Sequence, residues 1–200
     1  MDELIKFRQF LAEQQSNSLI IVDVQPSYIN NIDFSVSDML EFADNYSSIL
    51  VLYNGPDLGL DSEQEVVDFY LEELDYNDDA DGLLSKMKFF DKGYGFFRDY
   101  IDTCVIDHEE IINLVKYMIK NNIDDVRDLS SKDFENLSIV DITPSTAEDY
   151  PLHIPELADI LPSWYDSDMI GGAENECMEE VDILAKALGI KLNKVKKFIY

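Results

Sequence analysis

The segment LIIVDVQP at residues 19–26 constrains the fold most, because it is apolar on both faces of an extended chain. A strand buried on both faces is typical of the centre of a parallel sheet. Two further apolar runs, SILVLYNG at 48–55 and MKFF at 87–90, predict a second and a third buried strand. Apolar residues at helical spacing over 36–43 and 62–74 predict a helix after each of the first two strands. This alternation predicts an α/β fold with a parallel sheet.

The same alternation returns near the end of the sequence. SDMIGG at 167–172 predicts a strand, and the segment from Cys177 to Leu188 predicts a helix that Gly189 ends. KVKKFIY at 194–200 predicts a last strand. A chain of 200 residues, 46% of them hydrophobic, suits one compact domain with room for an insertion. We therefore expect one domain over residues 19–200.

The stretch from about 98 to 166 departs from the alternation and is expected to be a helical insertion. Its strongest element is EEIINLVKYMIKNN at 109–122, whose apolar residues recur at helical spacing. Shorter helices are predicted at 125–137 and 154–161, with a loop over 138–155. The apolar face of the long helix is more consistent with covering a core face than with binding a partner.

Residues 1–18 are expected to form an amphipathic helix ahead of this domain, because Leu4, Phe7 and Leu11 recur at helical spacing. The acidic opening and the lack of a small-residue cleavage site argue against a signal peptide. The apolar runs are too short for a transmembrane helix.

The formal net charge of −27 argues against two classes of partner. Nucleic acids and anionic membrane surfaces would both be repelled. A strongly hydrated acidic surface is the simplest interpretation, and a basic partner is the alternative. Two cysteines, Cys104 and Cys177, are too few for a disulfide scaffold, so reduced thiols in a cytoplasmic protein are expected. The sequence leaves open whether the chain forms a homo-oligomer.

Three residues with reactive side chains follow predicted strands. Asp23 and Lys92 come at or just beyond the ends of the first and third strands, where parallel sheets bind their ligands. Cys177 opens a helix within the segment MIGGAENECMEEV at 169–181. The positive end of a helix dipole favours a thiolate at that position.

These segments resemble the isochorismatase-like cysteine hydrolase superfamily, which includes nicotinamidases and N-carbamoylsarcosine amidases. That family has an aspartate at the end of its first strand, within Asp-x-Gln, and the chain has VDVQ at 22–25. It has a lysine followed by a small residue and a phenylalanine, and the chain has KGYGF at 92–96. Its third motif is a glycine that is commonly followed by Val-Ala-Thr-Asp, then by one further residue and the cysteine. The chain has GGAENEC at 171–177. The resemblance covers residues 19–97 and 167–200.

The resemblance implies a three-layer α/β/α fold and a cysteine hydrolase that cleaves a small amide, ureide or related C–N bond without a cofactor. It implies Cys177 as nucleophile, Asp23 as general base and acid, and Lys92 as the cation that orients this carboxylate. Gly172 and Ala173 would form the oxyanion turn with the cysteine, joined by a cis peptide bond. Further candidates for the substrate pocket are Gln25, Tyr94, Phe96 and Asn175.

The chain departs from the family pattern around the cysteine. Glu174 and Asn175 stand where the family has Thr-Asp. Glu176 and Glu179 add carboxylates near Cys177, and these oppose thiolate formation.

The metal-binding histidines of the nicotinamidase branch have no counterpart in the chain. They follow the second strand in that branch, whereas residues 53–62 contain no histidine. The only two histidines, His108 and His153, fall within the predicted insertion. No metal site is therefore predicted.

These departures keep a second function open, in which the fold is retained but catalysis is lost and the protein is a binding or interaction module. Asp23 would then only cap a turn, Lys92 would be a solvated loop residue, and Cys177 would be a small core residue. The segment KFRQFLAEQQ adds a weaker resemblance, to the leaders of proteins packaged into the heads of large tailed phages. It would make the protein virion-associated, although an ordinary docking helix explains the same residues.

Overall fold

The computed structural model describes residues 17–74, 80–93, 96–103, 106–137 and 142–200. Apart from positions 17 and 18, the amphipathic helix predicted over residues 1–18 lies outside these ranges. No helix within them is both long enough and apolar enough to cross a membrane.

One sheet of five parallel strands organises the chain, in the spatial order β3-β2-β1-β4-β5. The chain builds outward from β1 through β2 to β3, then returns to the opposite side of β1 for β4 and β5. The predicted α/β class with a parallel sheet is confirmed, and it is consistent with a three-layer α/β/α fold. The strands are β1 (Ser18–Val22), β2 (Ser48–Tyr53), β3 (Met87–Asp91), β4 (Ser167–Gly171) and β5 (Leu192–Lys194).

Nine α-helices occur in the described part of the chain. Those near 36–43, 62–74, 109–122 and 177–188 start and end within one or two residues of the prediction, whereas the short α3 and α4 were not predicted. The helices are α1 (Val36–Ala43), α2 (Glu63–Glu73), α3 (Ala80–Leu84), α4 (Arg98–Thr103), α5 (His108–Asn121), α6 (Ser131–Leu137), α7 (Pro144–Asp149), α8 (Leu157–Ile160) and α9 (Cys177–Ala187).

Strand β1 is buried on both of its faces, as its composition predicts. Consecutive residues Leu19, Ile20, Ile21 and Val22 have no exposed surface, although their side chains alternate between the two faces. Complete burial of such a side chain stabilises a fold by about 1.5–3 kcal/mol. One core cluster joins β1 and β2 to α1 and α2, through Leu19, Ile21, Ile49, Val51, Met39, Leu40, Val66 and Tyr70.

Capping residues fix where the longest helices begin and end. Helix α2 begins in a reciprocal capping box between Ser62 and Glu65, and α5 begins in the equivalent box between Asp107 and Glu110. A side-chain cap of this kind contributes about 1 kcal/mol. Helix α5 ends where Asn122 adopts the left-handed conformation that favours a C-terminal stop.

The segment 125–137, predicted as one helix, consists of two elements. A 3-10 turn over Val126–Asp128 is followed by α6, and Ser130 between them donates its backbone N–H and hydroxyl to Asp133. This local bonding starts a new helix rather than continuing the first.

The predicted loop over 138–155 was wrong in its central part, which forms α7. Thr143 caps this helix and Pro144 occupies its first turn, a position that proline favours. The helix predicted at 154–161 is shorter than expected, because α8 spans only Leu157–Ile160.

The last strand is displaced from the predicted segment 194–200. Strand β5 ends at Lys194, and the chain then forms a 3-10 turn over Lys196–Phe198. Phe198 is 1% exposed and packs against the rings of Phe34 and Phe42, with centroids 5.5 and 5.3 Å apart. Burial of this ring in the aromatic cluster outweighs continuation of the strand.

The chain divides into two compact units, each of which has its own interior. The first contains the sheet and includes residues 163–178 and 191–200, whereas the second contains residues 95–162 and 179–190. In the second unit α5 buries Ile111, Leu114, Val115 and Met118 completely. The described part of the predicted insertion is thus helical, and its exact boundaries at 98 and 166 stay a prediction.

The end of β4 requires a glycine for steric reasons. Gly171 has a φ of +87°, and a Cβ there would overlap the carbonyl oxygen of Val22 and lie 2.9 Å from Cγ2 of Val24. Gly171→Ala is therefore expected to lower the free energy of unfolding by about 2–4 kcal/mol, measured by urea unfolding.

Gly82→Ala is the matched control for this substitution. Gly82 lies within α3 and no atom lies within 4 Å of a Cβ built there. We expect no loss of stability, or a gain of up to about 1 kcal/mol from helix propensity. Equal urea midpoints for the two variants would contradict the close approach of β4 to β1.

Candidate functional site

The candidate site lies where the order of the strands reverses. Strands β1 and β4 are neighbours, with Val22 paired to Gly171, but the chain continues from β1 to β2 on one side and from β4 to β5 on the other. Ligands of open parallel sheets bind at the carboxyl ends of strands at such a switch point. Asp23 directly follows β1, and the turn that leads to Cys177 directly follows β4.

Asp23 leaves the strand in an unusual backbone conformation. Its φ is +53°, in the left-handed region that non-glycine residues rarely adopt. Its backbone N–H still donates to the carbonyl oxygen of Leu52, at 2.8 Å. The side chain is completely buried. Strained backbone of this kind is concentrated at functional sites, because the surrounding structure must hold it in place.

Lys92 brings a positive charge to the buried carboxylate. It follows β3, two strands away from β1, and its Nζ lies 3.1 Å from Oδ2 of Asp23. Neither side chain has any exposed surface. The same Nζ donates to Oδ1 of Asn54, at 3.1 Å, and to the carbonyl oxygen of Gly93, at 3.3 Å. The structure therefore brings together two of the three residues that were predicted to act in catalysis.

The Asp23 carboxylate has an ion-pair partner but no hydrogen-bond donor among the described residues. Both of its oxygens are buried without a hydrogen bond, since the contact with Lys92 is close but lacks hydrogen-bond geometry. Buried polar atoms are nearly always hydrogen-bonded, and each exception calls for an explanation. The lone pairs of the Asp23 carboxylate are therefore not used by any described hydrogen bond.

Cys177 is the first residue of α9, and its side chain is half-buried. It forms no disulfide bond with any described residue. The preceding turn is made by two successive glycines with positive φ, Gly171 and Gly172. The carbonyl oxygen of Ala173 then accepts the N–H groups of Glu176, at 3.1 Å, and Met178, at 3.2 Å.

The predicted cis peptide between Gly172 and Ala173 was wrong. No cis peptide bond occurs among the described residues, which include both positions. The left-handed conformations of Gly171 and Gly172, with φ of +87° and +45°, reverse the chain without one. No hydrogen bond from the N–H of Ala173 to a backbone carbonyl occurs among the described residues.

Tyr200 connects the ends of β1 and β4, a role that the sequence did not indicate. Its hydroxyl donates to the carbonyl oxygen of Asp23, at 3.2 Å, and its N–H donates to the carbonyl oxygen of Gly172, at 3.2 Å. Burial raises the pKa of the Tyr200 phenol well above its usual value, and the negative charges of Asp23 and Cys177 raise it further. The charges of Asp23 and Cys177 thus affect the pKa of the same phenol, that of Tyr200.

A second polar layer holds the ends of β1 and β2 together. Gln25 accepts the N–H of Asn54, at 2.8 Å, and donates to its carbonyl oxygen, at 3.1 Å. The amide also donates to Oδ2 of Asp61, at 2.7 Å, and Asp61 accepts the N–H and hydroxyl of Ser27. Gln25 is completely buried and its two amide hydrogens are both engaged, so it braces the strand ends. Its predicted contact with a substrate stays a prediction.

Asn54 joins this layer to Lys92 and was not predicted as a site residue. The available signal was its position directly after the buried strand β2, where a polar side chain reaches the same edge as Asp23. Because polar residues commonly follow strands, that signal alone is weak.

The predicted pocket roles of Tyr94, Phe96 and Asn175 stay predictions. Tyr94 lies outside the described residues. Phe96 belongs to the second unit, where its ring contacts Phe97 with centroids 4.7 Å apart. Asn175 is exposed on the turn before Cys177.

Within the described ranges, no group of three or more His, Cys, Asp and Glu side chains is arranged to hold a metal ion. Compared with protein-family models, with curated proteins and with solved structures, the chain matches none. The interpretation of the site therefore depends on the chain's own residues and their geometry.

The buried pair leads to a prediction about stability. Lys92→Met leaves the Asp23 carboxylate buried without its cation, and Asp23→Leu leaves the ammonium in the same state. Each substitution is expected to cost about 3–5 kcal/mol. The double variant buries no charge, so it should be more stable than the sum of the two losses indicates, by about 1–3 kcal/mol. Urea unfolding of all four proteins measures this coupling.

The exposed pair of Lys191 and Asp166 is the control for this cycle. Its charged atoms lie 2.8 Å apart and both side chains are at least half exposed. Lys191→Met should therefore cost less than about 1 kcal/mol. Additive losses at Asp23 and Lys92, each as small as that of the control, would contradict a buried ion pair.

The raised pKa of Tyr200 predicts a dependence of stability on alkaline pH. The folded protein holds the phenolic proton more tightly than the unfolded chain, whose tyrosines titrate near about pH 10. This contribution is complete below that pH and is lost as the pH rises towards the higher pKa of the folded state. Tyr200→Phe should therefore lose less stability between about pH 8 and pH 11 than the parent protein, by urea unfolding.

Tyr150→Phe controls for the other tyrosines, because no side-chain hydrogen bond of Tyr150 occurs in the described structure. It should follow the parent curve across the same pH range. If the free energy of unfolding falls equally with pH in the parent and in Tyr200→Phe, the proton of the buried Tyr200 phenol does not contribute to stability.

Proposed function

We propose that the chain is a cysteine hydrolase that cleaves a small amide, ureide or related C–N bond. The observation that carries the proposal is the buried ion pair of Asp23 and Lys92 at the switch point of the sheet. Its carboxylate accepts no hydrogen bond from the described residues, and the turn to Cys177 leaves the neighbouring strand. The resemblance to the isochorismatase-like superfamily agrees with this assignment.

The first half of the reaction forms a thioester. Asp23 accepts the proton of the Cys177 thiol, and the sulfur bonds to the substrate's carbonyl carbon as the C=O electron pair moves onto oxygen. The resulting oxyanion is stabilised by backbone N–H groups of the turn, including that of Ala173. When the C=O bond re-forms, the C–N bond breaks and Asp23 returns its proton to the leaving nitrogen.

The second half of the reaction regenerates the enzyme. Asp23 accepts a proton from a water molecule, whose oxygen bonds to the thioester carbon. Collapse of this intermediate breaks the C–S bond, and the sulfur recovers a proton from Asp23. In sum, one amide and one water give a carboxylic acid and an amine, or the corresponding products of a ureide.

Lys92 is suited to orient the Asp23 carboxylate, because its Nζ lies 3.1 Å from Oδ2. Two buried charges lose their hydration, and replacement of such a pair by apolar residues often leaves stability unchanged or improved. A pair retained at a ligand-binding edge therefore favours a role in chemistry over a role in stability.

The acidic residues around the cysteine support the alternative of an inactive binding module. Glu174, however, lies 3.4 Å from Nζ of Lys196, and both side chains are about half exposed or more. Solvent screening and a cation therefore weaken its opposition to a thiolate. Glu176 is also exposed. The alternative is a site that binds its ligand without hydrolysing it, and the experiments below separate the two functions.

Alkylation by iodoacetamide provides this test, with the extent at each cysteine measured by peptide mass spectrometry. Cys177 is expected to react faster than Cys104, and its rate should rise with pH as the thiolate forms. Equally slow labelling of both cysteines would contradict the hydrolase and favour the binding module.

Hydrolysis is then measured as ammonia release from acetamide, benzamide and N-carbamoylglycine. Cys177→Ala should abolish any activity while leaving the unfolding midpoint nearly unchanged. Cys104→Ala is the control and should retain activity. Asp23→Asn should lower the rate by at least about 10²-fold, as expected for loss of a general base. Activity that persists in Cys177→Ala would exclude the proposed nucleophile.

A further inference from the structure

Tyr28 is a polar residue at this edge of the sheet to which the proposed function assigns no role. It ends the 3-10 turn Pro26–Tyr28 that follows β1, and its side chain is half-buried. Its hydroxyl oxygen lies 3.0 Å from Nδ2 of Asn54. Oδ1 of that same amide lies 3.1 Å from Nζ of Lys92. Tyr28 is thus joined to the buried ion pair through one side chain.

The chemistry of these three groups fixes the direction of every hydrogen bond between them. A lysine ammonium has donors and no acceptor, so Lys92 must face the oxygen of the Asn54 amide. The NH₂ group of Asn54 must then face Tyr28, and an NH₂ group can only donate. Tyr28 is therefore the acceptor, and its own proton points elsewhere. No described residue accepts that proton in a hydrogen bond.

The phenol lies within the field of all three proposed reactive groups. Burial is the largest cause that raises the pKa of Tyr28. The negative charges of Asp23 and Cys177 raise it further, whereas the bond from Asn54 and the charge of Lys92 lower it. The phenol therefore stays protonated at neutral and mildly alkaline pH, as a donor must.

We propose that Tyr28 donates a hydrogen bond to the carbonyl oxygen of the substrate and stabilises the oxyanion that forms there. This inference rests on the proposed function and deepens it. Tyr28 would complement the backbone N–H of Ala173 at the turn after β4. Asn54 is a positioning residue in this arrangement, because it orients the phenol and touches no reacting atom.

A reversible aldehyde separates this role from a structural one. Benzaldehyde reacts with a thiol to form a thiohemiacetal: a C–S bond forms, the C=O electron pair moves onto oxygen, and the thiol proton ends on that oxygen. Alkylation by iodoacetamide creates no such oxygen, since the sulfur displaces iodide. Protection of Cys177 from iodoacetamide by increasing benzaldehyde measures the stability of the thiohemiacetal, with Cys104 in the same sample as an internal reference.

Tyr28→Phe is the test variant and Tyr150→Phe is the matched control. In Tyr28→Phe, the alkylation rate without benzaldehyde should stay within about twofold of the parent, because thiolate formation does not need the phenol. The benzaldehyde concentration that gives half protection should rise about tenfold or more, because one hydrogen bond to the oxygen is lost. Tyr150→Phe should change neither value. In both variants, a Cys177 rate that stays above the Cys104 rate shows that the site remains folded.

Two results would overturn the role of Tyr28 while leaving the hydrolase intact. One is unchanged benzaldehyde protection in Tyr28→Phe. The other is an equal fall in alkylation and protection, which would place the phenol's action on the thiol rather than on the substrate oxygen. If the parent's Cys177 reacts no faster than Cys104 and gains no protection, the proposed function itself fails, and the role of Tyr28 fails with it.

Discussion

The desolvation of one ion pair governs how the carboxyl edge of this sheet is built. The side chains of Asp23 and Lys92 have no exposed surface, and removal of each charge from water costs several kcal/mol even after relaxation. The ammonium is compensated by the oxygens of Asn54 and Gly93 as well as by the carboxylate. The carboxylate receives the charge of Lys92 but no described hydrogen bond. The compensation is therefore asymmetric, and it leaves hydrogen-bond-accepting capacity on Asp23.

Beyond the end of β1, the side chain of Gln25 takes the place of the backbone hydrogen bonds that join β1 to β2. The left-handed backbone of Asp23 ends the strand, yet the amide of Gln25 pairs with both the N–H and the carbonyl of Asn54 as a neighbouring strand would. The pairing of β1 with β2 is thus continued beyond its last backbone bond. The strand can end in a reactive residue without loosening the sheet beneath it.

The sequence predicts those features that depend on local periodicity and fails for those that depend on tertiary packing. Five parallel strands and the longest helices follow from apolar runs and helical spacing, and the capping boxes sharpen their ends. Asp23 and Lys92 could be predicted because strand ends of a parallel sheet share an edge. The roles of Asn54 and Tyr200 could not, because each depends on contacts between distant segments. The position of β5 was wrong because burial of Phe198 competes with strand pairing.

The dipeptide Asn54-Gly55 makes the carboxyl edge of the sheet susceptible to deamidation. In a flexible chain, the nitrogen of a glycine readily attacks the side-chain amide of a preceding asparagine and expels ammonia, which leaves a cyclic succinimide. Water then opens the succinimide to aspartate or isoaspartate. Here both ends of the Asn54 amide are held, and the N–H of Gly55 donates to Oδ1 of Asp91, at 3.1 Å. A Cβ at position 55 would overlap the Asp91 carboxylate, so a larger residue there would displace this acceptor from the N–H of residue 55. The folded state therefore protects the side-chain amide of Asn54 from a loss that is irreversible in the unfolded chain. The rate of this deamidation should follow the frequency with which the carboxyl edge of the sheet opens.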